Sequence, residues 1–322
     1  MKPKVYIARK VPPEVEAYIG EHCRYGKWDH PEPIPRARLL ESLGDADGLL
    51  TSGGKINAEL LEHAPHLRVV SNISVGYNNF DVEAMKARGV LGTNTPDVLN
   101  ETVADLIMGL MLSTARRIPE LDRYVKEGQW KRGDDEIMFG LDVHHKKLGI
   151  IGMGSIGEAV ARRGKFGFGM DVLYHNRNRK PEAEAVLQAE YRHLPDLLRE
   201  CDFIVLMTPL TPETRGLIGQ REFSLMKRTS VFINASRGAT VDEAALVHAL
   251  ENRQIYGAGL DVFEREPVAA DNSLLAMPNV VTLPHIGSAT EHTRREMAML
   301  AAENLVLALQ GHTPPNMVKE LQ

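Results

Sequence analysis

Cysteine is nearly missing from this chain: Cys23 and Cys201 are the only two in 322 residues. Two thiols so far apart make neither a disulfide framework nor a metal-ligand spacing, which points to a reducing, cytoplasmic setting. Long apolar runs are missing too. The greasiest stretch, residues 106–115, is about half of what a helix needs to cross a bilayer. The opening residues, MKPKVYIARK, meet charge before any apolar segment of signal-peptide length. No membrane association is expected. Nor is there an excess of positive charge: 38 Lys and Arg against 43 Asp and Glu leave a net −5. Nucleic-acid binding, which draws its affinity from neutralised phosphates, is therefore not expected.

What is present is the composition of an ordinary globular protein, 43% hydrophobic and 25% charged, long enough for two cores. Short apolar runs at 4–8, 48–52 and 67–73 read as strands, and 36–43, 58–62 and 81–88 read as helices between them. Residues 101–117 form a long helix that is apolar nearly all round, the mark of full burial. A shorter helix, 118–128, and an irregular excursion, 129–145, follow. A second, sharper series then starts: strands at 147–151, 171–175, 203–207, 230–234, 256–262 and 279–283, with helices at 155–163, 194–200 and 243–252. A final helix spans 291–310. Strand–helix–strand alternation predicts α/β architecture with parallel sheets. The sharper series predicts a nucleotide-type domain over 100–288. The first domain, residues 1–99, is expected to regain 289–322 through the final helix, so that the chain crosses twice.

Strand 147–151 runs into Gly152-Met153-Gly154-Ser155-Ile156-Gly157. In G-x-G-x-x-G the first glycine permits a tight turn, the second lets the backbone approach a pyrophosphate, and the third lets the helix pack on the strand. The helix N-terminus then faces the phosphates. The next strand ends at His175 and leads to Asn176-Arg177-Asn178-Arg179-Lys180, where NAD-preferring versions carry an acid for the ribose hydroxyls. With no acid to repel a 2′-phosphate, and with Arg177 and Arg179 or Lys180 to bind it, NADPH is favoured over NADH.

Three residues follow strands of the second series: Arg237, Glu266 and His285. Ligands of open parallel sheets bind beyond the carboxyl ends of strands. Arg offers a bidentate fork for a carboxylate and a carbonyl oxygen, His passes a proton near neutral pH, and a carboxylate beside it steadies the charged ring. Singly each reads as a turn Arg, a solvated Glu or a structural His. Together, and with the phosphate loop, they read as the chemistry of 2-oxo acid reduction.

Over essentially its whole length the chain resembles the D-isomer-specific 2-hydroxyacid dehydrogenases, through residues 148–157, 232–246, 257–267 and 284–288. Within that family it is similar to bacterial glyoxylate/hydroxypyruvate reductases and 2-ketogluconate reductases. The resemblance implies a Rossmann-type coenzyme domain inserted into a flavodoxin-like substrate domain. It also implies a homodimer joined through the coenzyme domains. It implies that Arg237 binds substrate, that Glu266 assists and that His285 is the acid/base. The amides around Val75 and Gly76 would hold the substrate carboxylate. Thr102, Ser155, Ile156, Thr208, Ala235, Asp261 and Gly287 fall where relatives touch the coenzyme; Asp261 could equally orient a turn, but its place at a strand end favours the coenzyme.

The expected substrates are small 2-oxo acids: glyoxylate, hydroxypyruvate or 2-keto-D-gluconate. Two rivals stand beside this reading, an NAD-linked D-lactate- or phosphoglycerate-type dehydrogenase and a non-catalytic NAD(P)H sensor. Trp130 is expected in a subunit interface, the His144-His145 pair lacks the companions of a metal site, and Cys201 is expected in the core.

Overall fold

The computed structural model describes residues 2–322. The backbone forms two compact units. One takes the chain up to Leu99 together with Ala289–Gln322, and the other is Asn100–Ser288.

In the first unit, β1 (Lys4–Ile7), β2 (Arg24–Lys27), β3 (Gly48–Thr51), β4 (Val69–Asn72) and β5 (Leu91–Thr93) lie in the order β2–β1–β3–β4–β5. Every pair is parallel. This is the 2-1-3-4-5 order of flavodoxin-like sheets, whose direction of growth reverses between β1 and β3. Leu49, Leu60, Val70, Phe80 and Met85 share a core on one face. The helix Glu291–Leu309 covers the opposite face: Leu305 lies against Gly48, and the Ser71 hydroxyl donates to the Ala301 carbonyl at 2.7 Å. The free edge of β5 is closed by a later segment, with Met317 bridged antiparallel to Thr93 and the Val318 amide donating to the Gly92 carbonyl at 2.9 Å.

The helix Pro13–His22 and strand β2 do not stand out in the sequence. Pro13 opens that helix, and proline is well accommodated at the first helical position, where its missing N–H is not needed. Strand β2 is an edge strand of mostly exposed residues, so it lacks the apolar run of a central parallel strand.

The second unit contains β6 (Lys147–Ile151), β7 (Asp171–His175), β8 (Glu190–Tyr191), β9 (Phe203–Leu206), β10 (Val231–Asn234), β11 (Gly257–Leu260) and β12 (Val280–Thr282). Their order is β12–β11–β10–β9–β6–β7–β8, again parallel throughout. This is the Rossmann order 3-2-1-4-5-6 with one strand added, and its switch point falls between β6 and β9. The helix Asn100–Ala115 packs on β10 and β11. Contrary to the expectation of all-round burial, it keeps Glu101, Asp105 and Gly109 exposed on one stripe. Glu101 and Asp105 pair there with Arg163 at 2.7 Å each. Among the described residues no helix is long and apolar enough to cross a membrane.

Candidate active site and coenzyme loop

The glycine-rich turn leaves β6 at the switch point. Gly152 sits at φ +99°, and a Cβ there would come within 2.7 Å of the Met207 carbonyl, so glycine is required by backbone approach from β9. A Cβ on Gly157 would meet the Gly152 carbonyl at 2.7 Å, which is the close helix–strand contact expected of the third glycine. Gly154 is different: a Cβ there would meet nothing within 4 Å. No protein atom explains its missing side chain, whereas a phosphate drawn up to the exposed Gly154-Ser155 backbone does. Ile156 is half-buried in the first turn of the helix Ser155–Arg162. At the end of β9 the Thr208 hydroxyl is buried without a hydrogen-bond partner, and it too fits a ligand. Half-buried Ala235 follows β10, and Thr102, in the first turn of the Asn100–Ala115 helix, is half-buried as well.

The segment after β7 divides its work. Asn176 does not face outward to a ligand: its side chain accepts from the Met153 amide at 2.7 Å and donates to the Met153 carbonyl at 3.2 Å, fastening the glycine-rich turn. Arg179 is held by Glu184 at 2.6 Å and lies over the Tyr191 ring, and Lys180 is paired with Glu158 at 3.1 Å. Both are thereby drawn away from the 2′-phosphate role expected of them. Arg177 is exposed and makes no ion pair among the described residues.

Strands β10, β11 and β12 are neighbours, so the loops that follow them emerge side by side. Arg237 leaves β10 in a turn closed on its own carbonyl, which accepts from the Thr240 hydroxyl at 2.6 Å and the Asn234 amide group at 3.2 Å. Its guanidinium is half-buried and donates to the Ser236 carbonyl at 2.7 Å. Burial lowers its pKa against the opposing pull of Glu266. Glu266 follows β11. Its Oε1 accepts from the Phe263 amide at 3.1 Å, and its Oε2 meets His285 Nδ1 at 2.7 Å. Desolvation alone would raise the Glu266 pKa, but the His285 hydrogen bond and charge, the Phe263 amide and Arg237 outweigh it and hold the carboxyl below its ordinary value. With Nδ1 engaged, His285 keeps Nε2 for a ligand.

Asp261 is the main correction among the expected coenzyme contacts. It is buried, and its two oxygens accept from the Ile286 amide at 2.7 Å and the Gly287 amide at 2.8 Å. It therefore orients the turn after His285, and the Gly287 amide is spent on it. His285 itself sits at φ +53°, in the left-handed region that a non-glycine residue adopts only when its surroundings impose it. The two amides bound by Asp261 supply that constraint. Burial pushes the Asp261 pKa up, with the two amides and His285 opposing.

Gly238 carries a requirement no motif announces. A Cβ there would fall 1.8 Å from the Phe263 carbonyl oxygen and 2.4 Å from the Glu264 nitrogen, because the Arg237 turn rests backbone-to-backbone on the loop that carries Glu266.

In the first unit, the 73–77 loop follows β4. The Val75 carbonyl accepts from Asn94 at 2.7 Å and the Gly76 carbonyl from Asn72 at 3.0 Å. The Val75 and Gly76 amides make no hydrogen bond among the described residues. Asn72 and Asn94, which fix these peptides, have no signature in the sequence.

A Rossmann sheet with a ligand-ready glycine turn, carrying Arg, Glu and a Glu-bound His on adjacent strand ends, defines a dinucleotide-dependent oxidoreductase. Residues 108–287, more than half of the chain, match the NAD-binding domain of the D-isomer specific 2-hydroxyacid dehydrogenases. The chain is 50% identical over 318 residues to a protein of Klebsiella pneumoniae named glyoxylate/hydroxypyruvate reductase B, covering 99% of this chain and 98% of that one. Among solved structures, a Thermus thermophilus protein superposes with a TM-score of 0.91 at 41% identity, covering 98% of this chain and 99% of its own. An NADPH-dependent glyoxylate/hydroxypyruvate reductase from Sinorhizobium meliloti, solved with NADP and malonate, gives 0.86 at 34% identity, with 100% and 98% covered. This chain belongs to the D-isomer specific 2-hydroxyacid dehydrogenase family.

Proposed function

We propose that this protein is an NADPH-dependent reductase that converts glyoxylate and hydroxypyruvate to the corresponding D-2-hydroxy acids. The observation that carries the reading is the 2.7 Å Glu266–His285 contact, one strand over from the turn of Arg237. Relatives named for these activities and a structural neighbour solved with NADP support it. The nicotinamide, when bound, supplies the hydride for C2 of the oxo acid. Arg237 clamps carboxylate and carbonyl oxygen through its planar fork, and the amides of Val75 and Gly76 are donors suited to a substrate carboxylate. His285, charged, gives the Nε2 proton to the carbonyl oxygen as negative charge grows there. Glu266 fixes the ring through Nδ1 and stabilises its positive charge. Asp261 holds the turn and touches neither reactant. The test is loss of nicotinamide absorbance with hydroxypyruvate and glyoxylate under NADPH and NADH in parallel. Turnover that is faster with NADPH is expected; NADPH binding without turnover of either acid overturns the reading.

The choice of coenzyme is assigned to Arg177. An Arg177→Ala variant is expected to raise the KM for NADPH by roughly 10-fold or more, the size of a lost charge-assisted hydrogen bond, while the KM for NADH barely moves. Arg179→Ala is expected to change neither by more than about twofold. Steady-state kinetics with each coenzyme decides.

We also propose a homodimer joined through the 118–139 segment of the second unit. Ile118, Val125, Trp130, Ile137 and Phe139 are each at least 50% exposed there, an apolar surface that needs a cover. Light scattering on the purified chain is expected to give twice the monomer mass, and Trp130→Glu with Phe139→Glu to give the monomer.

A further inference from the structure

We propose that Glu243 is a positioning residue for the reduction: its carboxylate ties together the two ends of the loop that carries Glu266, and so sets where Glu266 meets His285. The inference rests on the reading of the chain as a 2-oxo acid reductase and adds a residue that acts only through Glu266.

Glu266 lies in a stretch without regular structure. Phe263 and Leu274 bound that stretch, both buried in one core, and most of the residues between them are exposed. A surface loop of this kind keeps its shape only where something fastens it. Glu243, the first residue of the helix Glu243–Glu251, supplies two such points. Its Oε2 accepts from the Glu264 amide at 3.0 Å, and its Oε1 accepts from the Asn272 side-chain amide at 2.7 Å. Asn272 is itself fixed, because its Oδ1 accepts from the Leu274 amide at 2.9 Å. One carboxylate thus bridges the entry and the exit of the loop, with Glu266 between them.

The ordinary work of an acid in the first turn of a helix is to cap it or to offset its dipole. Asp242 already caps this helix, accepting from the Ala245 amide at 3.0 Å. Glu243 is half-buried, makes no ion pair among the described residues, and turns both oxygens to the loop.

The chain that ends at Glu243 begins at Arg237. Between them lies Gly238, whose backbone rests on Phe263 and Glu264. The Glu264 peptide is therefore held twice, by contact with the Gly238 backbone and by its N–H on Glu243. One short piece of chain sets the spacing between the Arg237 turn and the Glu266 loop. Both groups that Glu243 holds are donors, so the carboxylate matters and not only its size. A glutamine at 243 would offer its oxygen to one donor and set its NH₂ against the other.

Steady-state kinetics with hydroxypyruvate and NADPH test this in a double-mutant cycle. Glu243→Ala is expected to lower kcat about 10-fold, while the KM for NADPH stays within about twofold. Glu243→Gln is expected to lower kcat roughly fivefold, since one of the two charge-assisted hydrogen bonds is lost. In a Glu266→Ala background no carboxylate is left to place, and Glu243→Ala is expected to cost less than about twofold more. A residue that merely supports the fold would multiply the two losses. Equal losses in both backgrounds, or parental kcat in Glu243→Ala, overturns the positioning role while leaving the reductase reading intact. If Glu243→Ala does not fold, Glu243→Gln is carried through the same cycle and judged by the same outcomes. A parent that reduces neither hydroxypyruvate nor glyoxylate overturns both.

Discussion

A His285→Ala variant is expected to lose about 10²–10⁴-fold in kcat for hydroxypyruvate reduction, the usual contribution of a positioned general acid. That loss corresponds to roughly 3–5 kcal/mol of transition-state stabilisation. Coenzyme affinity, read by quenching of protein fluorescence, is expected to stay within about twofold, because the glycine-rich turn after β6 makes no use of the imidazole. Near-parental turnover would remove His285 from the mechanism.

Glu266→Gln removes the negative charge that meets Nδ1 at 2.7 Å, so kcat for hydroxypyruvate is expected to fall while coenzyme affinity stays near the parent's. Stability depends on pH through Glu266 itself. The Glu266 carboxyl lies below its ordinary value of 4.5, so its interactions stabilise the fold above that pH and are lost as pH falls toward the depressed value. The parent is therefore expected to lose part of its pH 7 stability in acid, and Glu266→Gln to lose less.

Gly238→Ala is expected to be the most damaging single-methyl change in the second unit. A Cβ has no rotamer with which to escape, and its two nearest neighbours are backbone atoms of Phe263. To bring 1.8 Å to an ordinary contact, the Arg237 turn and the Glu266 loop must part by more than an ångström. Displacements of that size cost about 100-fold in rate when they misplace reacting groups, and overpacking of this kind costs about 1–3 kcal/mol or more in stability. Calorimetry and steady-state kinetics on one preparation are expected to show both losses. Gly154→Ala supplies the contrast. Its Cβ meets nothing, so its melting temperature is expected to match the parent while the KM for NADPH rises. A Gly238→Ala enzyme with parental kcat/KM would overturn this account of the turn.

What could be read in the sequence was whatever repeats at short range. Strands 147–151 and 171–175 and the helix 194–200 fall where the apolar pattern places them, because a buried parallel strand is a continuous apolar run with turn residues at its ends. The helix Pro181–Leu187 and the two-residue strand β8 are too short and too polar to show that pattern. In the candidate site, Arg237, Glu266 and His285 were legible because each follows a recognisable strand. The supporting contacts were not. Asp261 looks like a strand-end acid until its two oxygens are seen on the Ile286 and Gly287 amides. Asn176 opens the run expected at the coenzyme, and only the structure shows it fastened to Met153. The Arg177–Lys180 run reads as one basic patch, and only the positions of Glu184 and Glu158 show that two of its charges are already paired. Each of these is a long-range encounter, on which local pattern is silent.

The helix Glu291–Leu309 covers one face of a sheet whose strands all end before residue 94. During synthesis the ribosome makes the whole of Asn100–Ser288 between the two, which takes roughly 10–40 s at about 5–20 residues per second. Over that interval the face of the nascent first sheet that takes Leu305 and Ala301 lacks their helix, while the inserted unit has every strand it needs and can fold ahead of it. Order of emergence thus inverts order of completion. The half of the molecule that is translated first is finished last, and in the meantime it is the part with most need of a chaperone.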